Sequence, residues 1–253
     1  MLLSSPMYDD AARLRDFYAT PLGKLARRIV GQRIRERWPD VSGMDVVGLG
    51  FASPYLRMFH SEARTTVALM PQSQGVVQWP HNGPYRSALV PEIGLPLRDN
   101  SVERVLVVHG LEHVEARQDY LREIGRVLMP QGRVIVAVPN RRGAWAALET
   151  TPFGHGRPYS VSQIEKLLRA ASLEPVGVAP CLFAPPFRAR ALPWAALAWE
   201  RIGNRLWPAF AGVVIVEAIK QVYAGIPIPV KKPAFARVPS LTGLSPVRRK
   251  SSQ

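Results

Sequence analysis

The sequence predicts a doubly wound, mostly parallel α/β sheet, and three observations predict it. Short apolar runs of strand type alternate with helix-type periodicity over about 150 residues. A Gly-x-Gly turn directly follows the first of those runs. Of the 253 residues, 47% are apolar, enough to fill the core such a sheet needs.

In chain order, residues 8 to 38 read as helical, with Gly23 and Gly31 as interruptions, and form an N-terminal helical cap over residues 1 to 40. Met44 to Val47 is a short apolar strand, and "PYLRMFHSEA" after it places Leu56, Phe59 and Ala63 on one helical face. "TTVALM" (65 to 70), "RSALV" (86 to 90) and "VERVLVV" (102 to 108) are strands. "YLREIGRVL" (120 to 128) is a helix ended by Pro130 and Gly132, with the strand "RVIVAVP" behind it. Ser160 or Ser162 caps "SQIEKLLRAASL", with Gln163 or Glu165 closing a capping box in either case. "LEPVGVAP" and "AGVVIVEAI" are two further strands. Between them "ALPWAALAWERIGNRLW" (191 to 207) sets three tryptophans among arginines, a Trp-rich helical insertion near residues 188 to 208.

In such a sheet "DVVGLGFASPYL" (45 to 56) acquires a mechanism. The strand stops at Val47, Gly48 and Gly50 let backbone approach a ligand closely, and Ser53-Pro54 serve as cap and first helical residue, leaving N–H groups to meet the polar part of a cofactor.

"LPLRDNSVERVLVVHGLEHV" and "YLREIGRVLMPQGRVIVAVPN" follow, and together they resemble the class I S-adenosylmethionine-dependent methyltransferases, the small-molecule branch with a seven-stranded Rossmann-like sheet. The matching residues are Leu95, Pro96, Asp99 and Ser101, then Leu111 and His113, then Glu123, Arg126, Val127, Leu128, Pro130 and Gly132. The resemblance implies an α/β domain over residues 41 to 230 whose last two strands form an antiparallel closing hairpin. It implies S-adenosylmethionine as cofactor, a small-molecule methyl acceptor, and Gly48, Gly50, Ala52, Met70, Leu97 and His109 as cofactor-binding positions. Two acids of the family pattern are replaced, one by Val46 and one, at the ribose-gripping end of the second strand, by Met70. Losing a charged pair to the ribose costs about 1.5 to 3 kcal/mol, so weakened cofactor binding is expected. The competing reading is a non-catalytic scaffold of the same fold, or a basic protein that binds nucleic acid or membrane.

"HGLEH" (109 to 113) matches the inverted zinc-protease spacing, but Gly110 stands where the helix joining the two histidines has to continue, so no metal site is expected. Residues 139 to 160, "PNRRGAWAALETTPFGHGRPYS", form a loop at the sheet edge that receives substrates, with His155 as candidate general base and Arg157 as candidate holder of an anionic group.

Composition bounds the setting. The formal charge is +14, and residues 231 to 253 carry six cations and no acid in a Pro- and Ser-rich stretch, which reads as a solvated, disordered tail open to contact with nucleic acid or anionic lipid. Cys181 is the only cysteine, so no internal disulfide forms. The first sixteen residues lack a secretory apolar core, and no apolar run reaches the roughly 18 residues of a membrane span. A cytoplasmic protein is expected.

Overall fold

The computed structural model describes residues 10–186 and 193–221, apart from the side chains of residues 193–197. The expected basic tail at 231 to 253 and the start of the Trp-rich insertion lie outside these residues. The elements are α1 (Ala11–Ala19), α2 (Pro21–Arg37), β1 (Asp45–Gly50), α3 (Ser53–Leu56), β2 (Thr65–Pro71), β3 (Ser87–Val90), β4 (Val102–Val108), α4 (Arg117–Val127), β5 (Leu128–Pro139), α5 (Val161–Ala170), β6 (Leu173–Cys181), α6 (Pro193–Leu206) and β7 (Val213–Lys220).

The strands make one seven-stranded sheet of order β3-β2-β1-β4-β5-β7-β6. Neighbours from β3 to β5 run parallel, and β7 runs antiparallel to both β5 and β6, which is the closing hairpin. Parallel strands covered on both faces need apolar residues on both sides, and the alternation shows it. Leu106, Val108, Ile135, Ala137, Val213 and Ile215 face one core layer. Val105, Val107, Val134, Val136, Val214 and Val216 face the other. The first layer is closed by α1, α2 and α3, with Trp38, Tyr55 and Phe59 buried in it. The second is closed by α4 and α5, through Leu121, Ile124, Ile164 and Leu168.

Three local expectations are corrected. The first helical segment breaks at Thr20-Pro21 rather than at its glycines. Thr20 ends α1 by donating its hydroxyl to the Phe17 carbonyl and begins α2 by accepting from the Gly23 N–H, with Pro21 at the first helical position. Gly23 is needed inside α2 because a Cβ there would lie 2.0 Å from the Phe17 carbonyl oxygen. The helix after the Gly-x-Gly turn is only Ser53–Leu56, and its cap position is Ala52, which offers no side-chain acceptor. β1 runs on to Gly50, since pairing with β4 continues to Gly50↔Val108. At α5 the capping box forms with Ser160 and Gln163.

The charged residues of the family-like stretch do structural work. Arg126 at the end of α4 donates to the carbonyls of Leu95 and Leu97 and pairs with Glu123 and Asp99, while Glu123 accepts from the Leu95 N–H. The loop 95–99 is thereby tied to α4.

Candidate functional site

β1 and β4 lie side by side where the strand order reverses, so the crevice beyond their carboxyl ends is where open α/β sheets receive ligands. Gly48, Gly50, Ala52, Met70 and His109 lie at or near the carboxyl ends of β1, β2 and β4, and all are buried. Their surroundings show what each does. A Cβ at Gly48 would stand 2.7 Å from the Ala52 Cβ and the Leu56 Cδ1, so this glycine lets α3 close on the strand. Gly50 has φ +72°, and a Cβ there would stand 2.5 Å from the Val108 carbonyl oxygen and 2.8 Å from that of His109. Both glycines are required by the protein's own packing.

At the end of β2, Met70 is fully buried in the first core layer. Gln74 follows in the turn, 1% exposed. Its Nε2 donates to the His109 carbonyl at 3.0 Å and its Oε1 has no hydrogen-bond partner. Its backbone carbonyl accepts from the Ala11 N–H at 2.8 Å, which fixes the start of α1 above the crevice.

His109 just beyond β4 has φ +48° and is 1% exposed. Its Nε2 lies 2.8 Å from the Tyr18 hydroxyl, which lies 2.9 Å from the Tyr55 hydroxyl. Its Nδ1 faces Glu112 at 3.5 Å, and the other Glu112 oxygen accepts from the Gly110 N–H. Burial pushes the Glu112 carboxyl up, but His109 and His113 together overcome it and hold the group below the usual carboxylate range. Burial, aided by Tyr55, raises Tyr18 well above the ordinary phenol range; burial raises Tyr55 too. The chain therefore runs from two phenols through an imidazole to a carboxylate. An ionised Glu112 favours the proton on Nδ1, leaving Nε2 to accept from Tyr18.

The roof is aromatic. Tyr18 stacks on Phe51 at 6.1 Å between centroids, and Phe153, from the loop after β5, lies 4.9 Å from the His109 ring. Phe153 also meets Phe17 and Trp145 edge-on. S-adenosylmethionine suits this crevice chemically at Gln74, whose unpartnered acceptor matches a ribose hydroxyl donor. Tyr18 covers the His109 ring in this structure.

The remaining expected residues lie elsewhere. Leu97 packs on the second core layer, away from the glycines. His155 is held at 2.8 Å by the Glu149 carbonyl and lines a cavity of about 100 Å³ with Arg13 and Phe17. Arg157 lines a larger one, about 660 Å³, with Arg117, Arg141 and Lys166, and its N–H donates to the Glu112 carbonyl. His109 and His113 do not share a helix, and no group of three metal-ligating side chains occurs among the described residues. No described helix is long and apolar enough to cross a membrane. Tyr18, Tyr55 and Glu112 escape sequence reasoning. The only signal for Glu112 is its place beside His113 in "HGLEH"; the tyrosines carry none.

Residues 46–136 match the family described as a methyltransferase domain. No curated protein matches the sequence. Among solved structures, a chain from the Haloferax volcanii complex of the Trm112 methyltransferase activator with a methyltransferase superposes with TM-score 0.58 at 18% identity, covering 83% of this chain and 96% of that one. An S-adenosylmethionine-dependent methyltransferase of Thermotoga maritima gives 0.58 at 16%, covering 83% and 95%. The [4+2]-cyclase SpnF gives 0.54 at 20%, covering 78% and 82%. Residues 46–136 are thus similar to a methyltransferase domain, and the seven-stranded sheet, in which only β7 runs antiparallel, is the Rossmann-like fold of the class I S-adenosylmethionine-dependent methyltransferases.

Proposed function

We propose that the protein transfers a methyl group from S-adenosylmethionine to a small-molecule acceptor, in the crevice that α1 covers. The observation that carries this reading is Gln74, a buried acceptor without a partner at the end of β2. A buried unsatisfied oxygen is costly, and a hydroxyl donor from a ligand removes that cost.

The turn from Gly48 to Ala52 and the Gln74 side chain hold the cofactor, which when bound supplies an electrophilic methyl group and makes alignment the main source of rate. Tyr18 and Phe153 keep water out. Where the acceptor must lose a proton, His109 takes it at Nε2 once Tyr18 has withdrawn, and Glu112 stabilises the imidazolium so formed. His155, tied to a backbone carbonyl beside a small cavity, is the weaker candidate for that duty. Arg157, in a large cavity among other cations, remains the candidate holder of an anionic acceptor group.

Calorimetric titration with S-adenosylmethionine tests the reading. Wild-type protein is expected to bind weakly, because part of the binding energy goes into displacing Tyr18. Tyr18→Ala tightens binding, and adding Gln74→Ala removes the gain, with circular dichroism confirming that each variant is folded. If neither wild type nor folded Tyr18→Ala binds, the crevice is not a cofactor site. The complete burial of the crevice favours that second reading, a non-catalytic member of the family.

A further inference from the structure

A groove on the outer side of the β1–α3 turn has no role in the reading above. It is a cavity of about 390 Å³ whose charged lining is Arg15, Asp16, Lys24, Arg27 and Arg57, with the buried Tyr18 and Phe51 at its inner side. Trp79 and His81, from the loop after β2, close the other side. A second cavity of about 480 Å³ shares Arg27, Pro54 and Arg57 and adds Arg28 and Arg35, so the two form one trough along α2.

The charge of this trough is unbalanced. Arg15 is paired with Asp16, and Arg35 with Glu62. The side chains of Lys24, Arg27, Arg28 and Arg57 make no ion pair or hydrogen bond with any described residue. Lys24, Arg27 and Arg28 are spaced at i, i+3 and i+4 on α2, which brings their side chains onto neighbouring positions of one helix surface. Like charges so placed repel by a few tenths of a kcal/mol per pair. Arg27 is also half-buried, and its field reaches the Tyr18 and Tyr55 hydroxyls. Four uncompensated cations along a concave, partly apolar trough concentrate the field on whatever lies there. A single carboxylate answers one or two of them; a chain of linked phosphoryl groups carries several negative charges on one small ligand, and its oxygens accept from guanidinium forks.

We infer that this trough binds a small ligand carrying two or more linked phosphoryl groups. Lys24 and Arg28 are the exposed contacts and Arg27 and Arg57 the shared centre of the two lobes.

Titration calorimetry on the full-length protein, with inorganic tripolyphosphate, inorganic phosphate and a short single-stranded RNA as probes, tests this. Tripolyphosphate is expected to bind at one site, far more tightly than inorganic phosphate, and to weaken as sodium chloride is raised. The pair Arg27→Gln and Arg57→Gln lowers its affinity at least about tenfold, the loss of one charge-assisted contact or more. Arg157→Gln leaves it unchanged. Thermal melts confirm that the variants are folded. Tripolyphosphate binding that survives Arg27→Gln with Arg57→Gln, or falls instead with Arg157→Gln, places the anion elsewhere and overturns the assignment. So does RNA binding without tripolyphosphate binding, which marks a nucleic-acid surface, and so does no binding at all.

Discussion

Gly50 shows what a single missing Cβ does here. Its φ of +72° costs a residue with a side chain about 1 to 2 kcal/mol, and the added carbon would meet two carbonyl oxygens of the β4 end within 2.8 Å. Gly50→Ala is therefore expected to destabilise the protein by about 2 to 4 kcal/mol in chemical denaturation. Gly48→Ala costs less, because its obstacles are the Ala52 Cβ and the end of a leucine side chain. An unchanged midpoint for Gly50→Ala would show that the turn is looser than its contacts indicate. Glu112 gives a pH prediction at the same scale. Its carboxyl is depressed in the folded protein, burial being outweighed by the two histidines. Its contribution is thus present above the unfolded value, about 4.3, and is lost as pH falls through the lower folded value. Wild-type stability should drop on acidification below about pH 4.3, and Glu112→Gln should flatten that acid limb. Equal acid limbs in the two proteins would assign the drop to other carboxylates.

Specific polar contacts join the elements. Glu217 of β7, 2% exposed, accepts from Trp38 at 3.2 Å and from Arg133 at 2.9 Å and faces Arg37 at 3.7 Å, so one carboxylate links the end of α2 to two strands. Glu217→Ala leaves the Trp38 N–H buried without an acceptor, for an expected loss of about 2 to 3 kcal/mol in urea unfolding, tempered because Arg133 is 39% exposed and can turn to water. A loss under half a kcal/mol would mean that water replaces the carboxylate. Ser160→Ala removes the α5 cap and should cost about 1 kcal/mol, a drop of about 2 to 4 °C in melting temperature.

Over the whole molecule, the two core layers share every strand but β3, so they should unfold together. Trp38, Trp79 and Trp145 all lie in the first layer. With Trp199 packed against it as well, tryptophan fluorescence reports mainly on that layer, while far-ultraviolet circular dichroism follows both. The two melting curves are expected to coincide, and a second dichroism transition without fluorescence change would mean that the α4–α5 layer melts alone. The same contrast of local and distant contacts explains what the sequence discloses. Alternation along β4, β5 and β7 is local, so strand periodicity finds β4 and β7 within a residue or two, and β5 only from Arg133 on, its first five residues lying at and past the end of the α4 pattern. The α1–α2 break is local too, yet it was hidden because Thr20-Pro21 outcompetes glycines that sit comfortably inside a helix. The closure of the crevice is not local at all. Tyr18 meets His109 across 91 residues of sequence, and nothing near either position announces the other. Gln74 is legible as a hydrogen-bonding residue after β2, but its burial and its idle oxygen depend on α1 lying overhead.

Since the β4 backbone and α3 already demand the two glycines of the β1 turn, a descendant of this protein that had no use for a methyl donor would still be obliged to keep them. In this chain the Gly-x-Gly fingerprint therefore records how tightly a strand, a turn and a neighbouring strand are fitted, and its presence is by itself no witness to chemistry. The residue that would drift first when the chemistry ceased is the one whose free oxygen serves nothing else, Gln74.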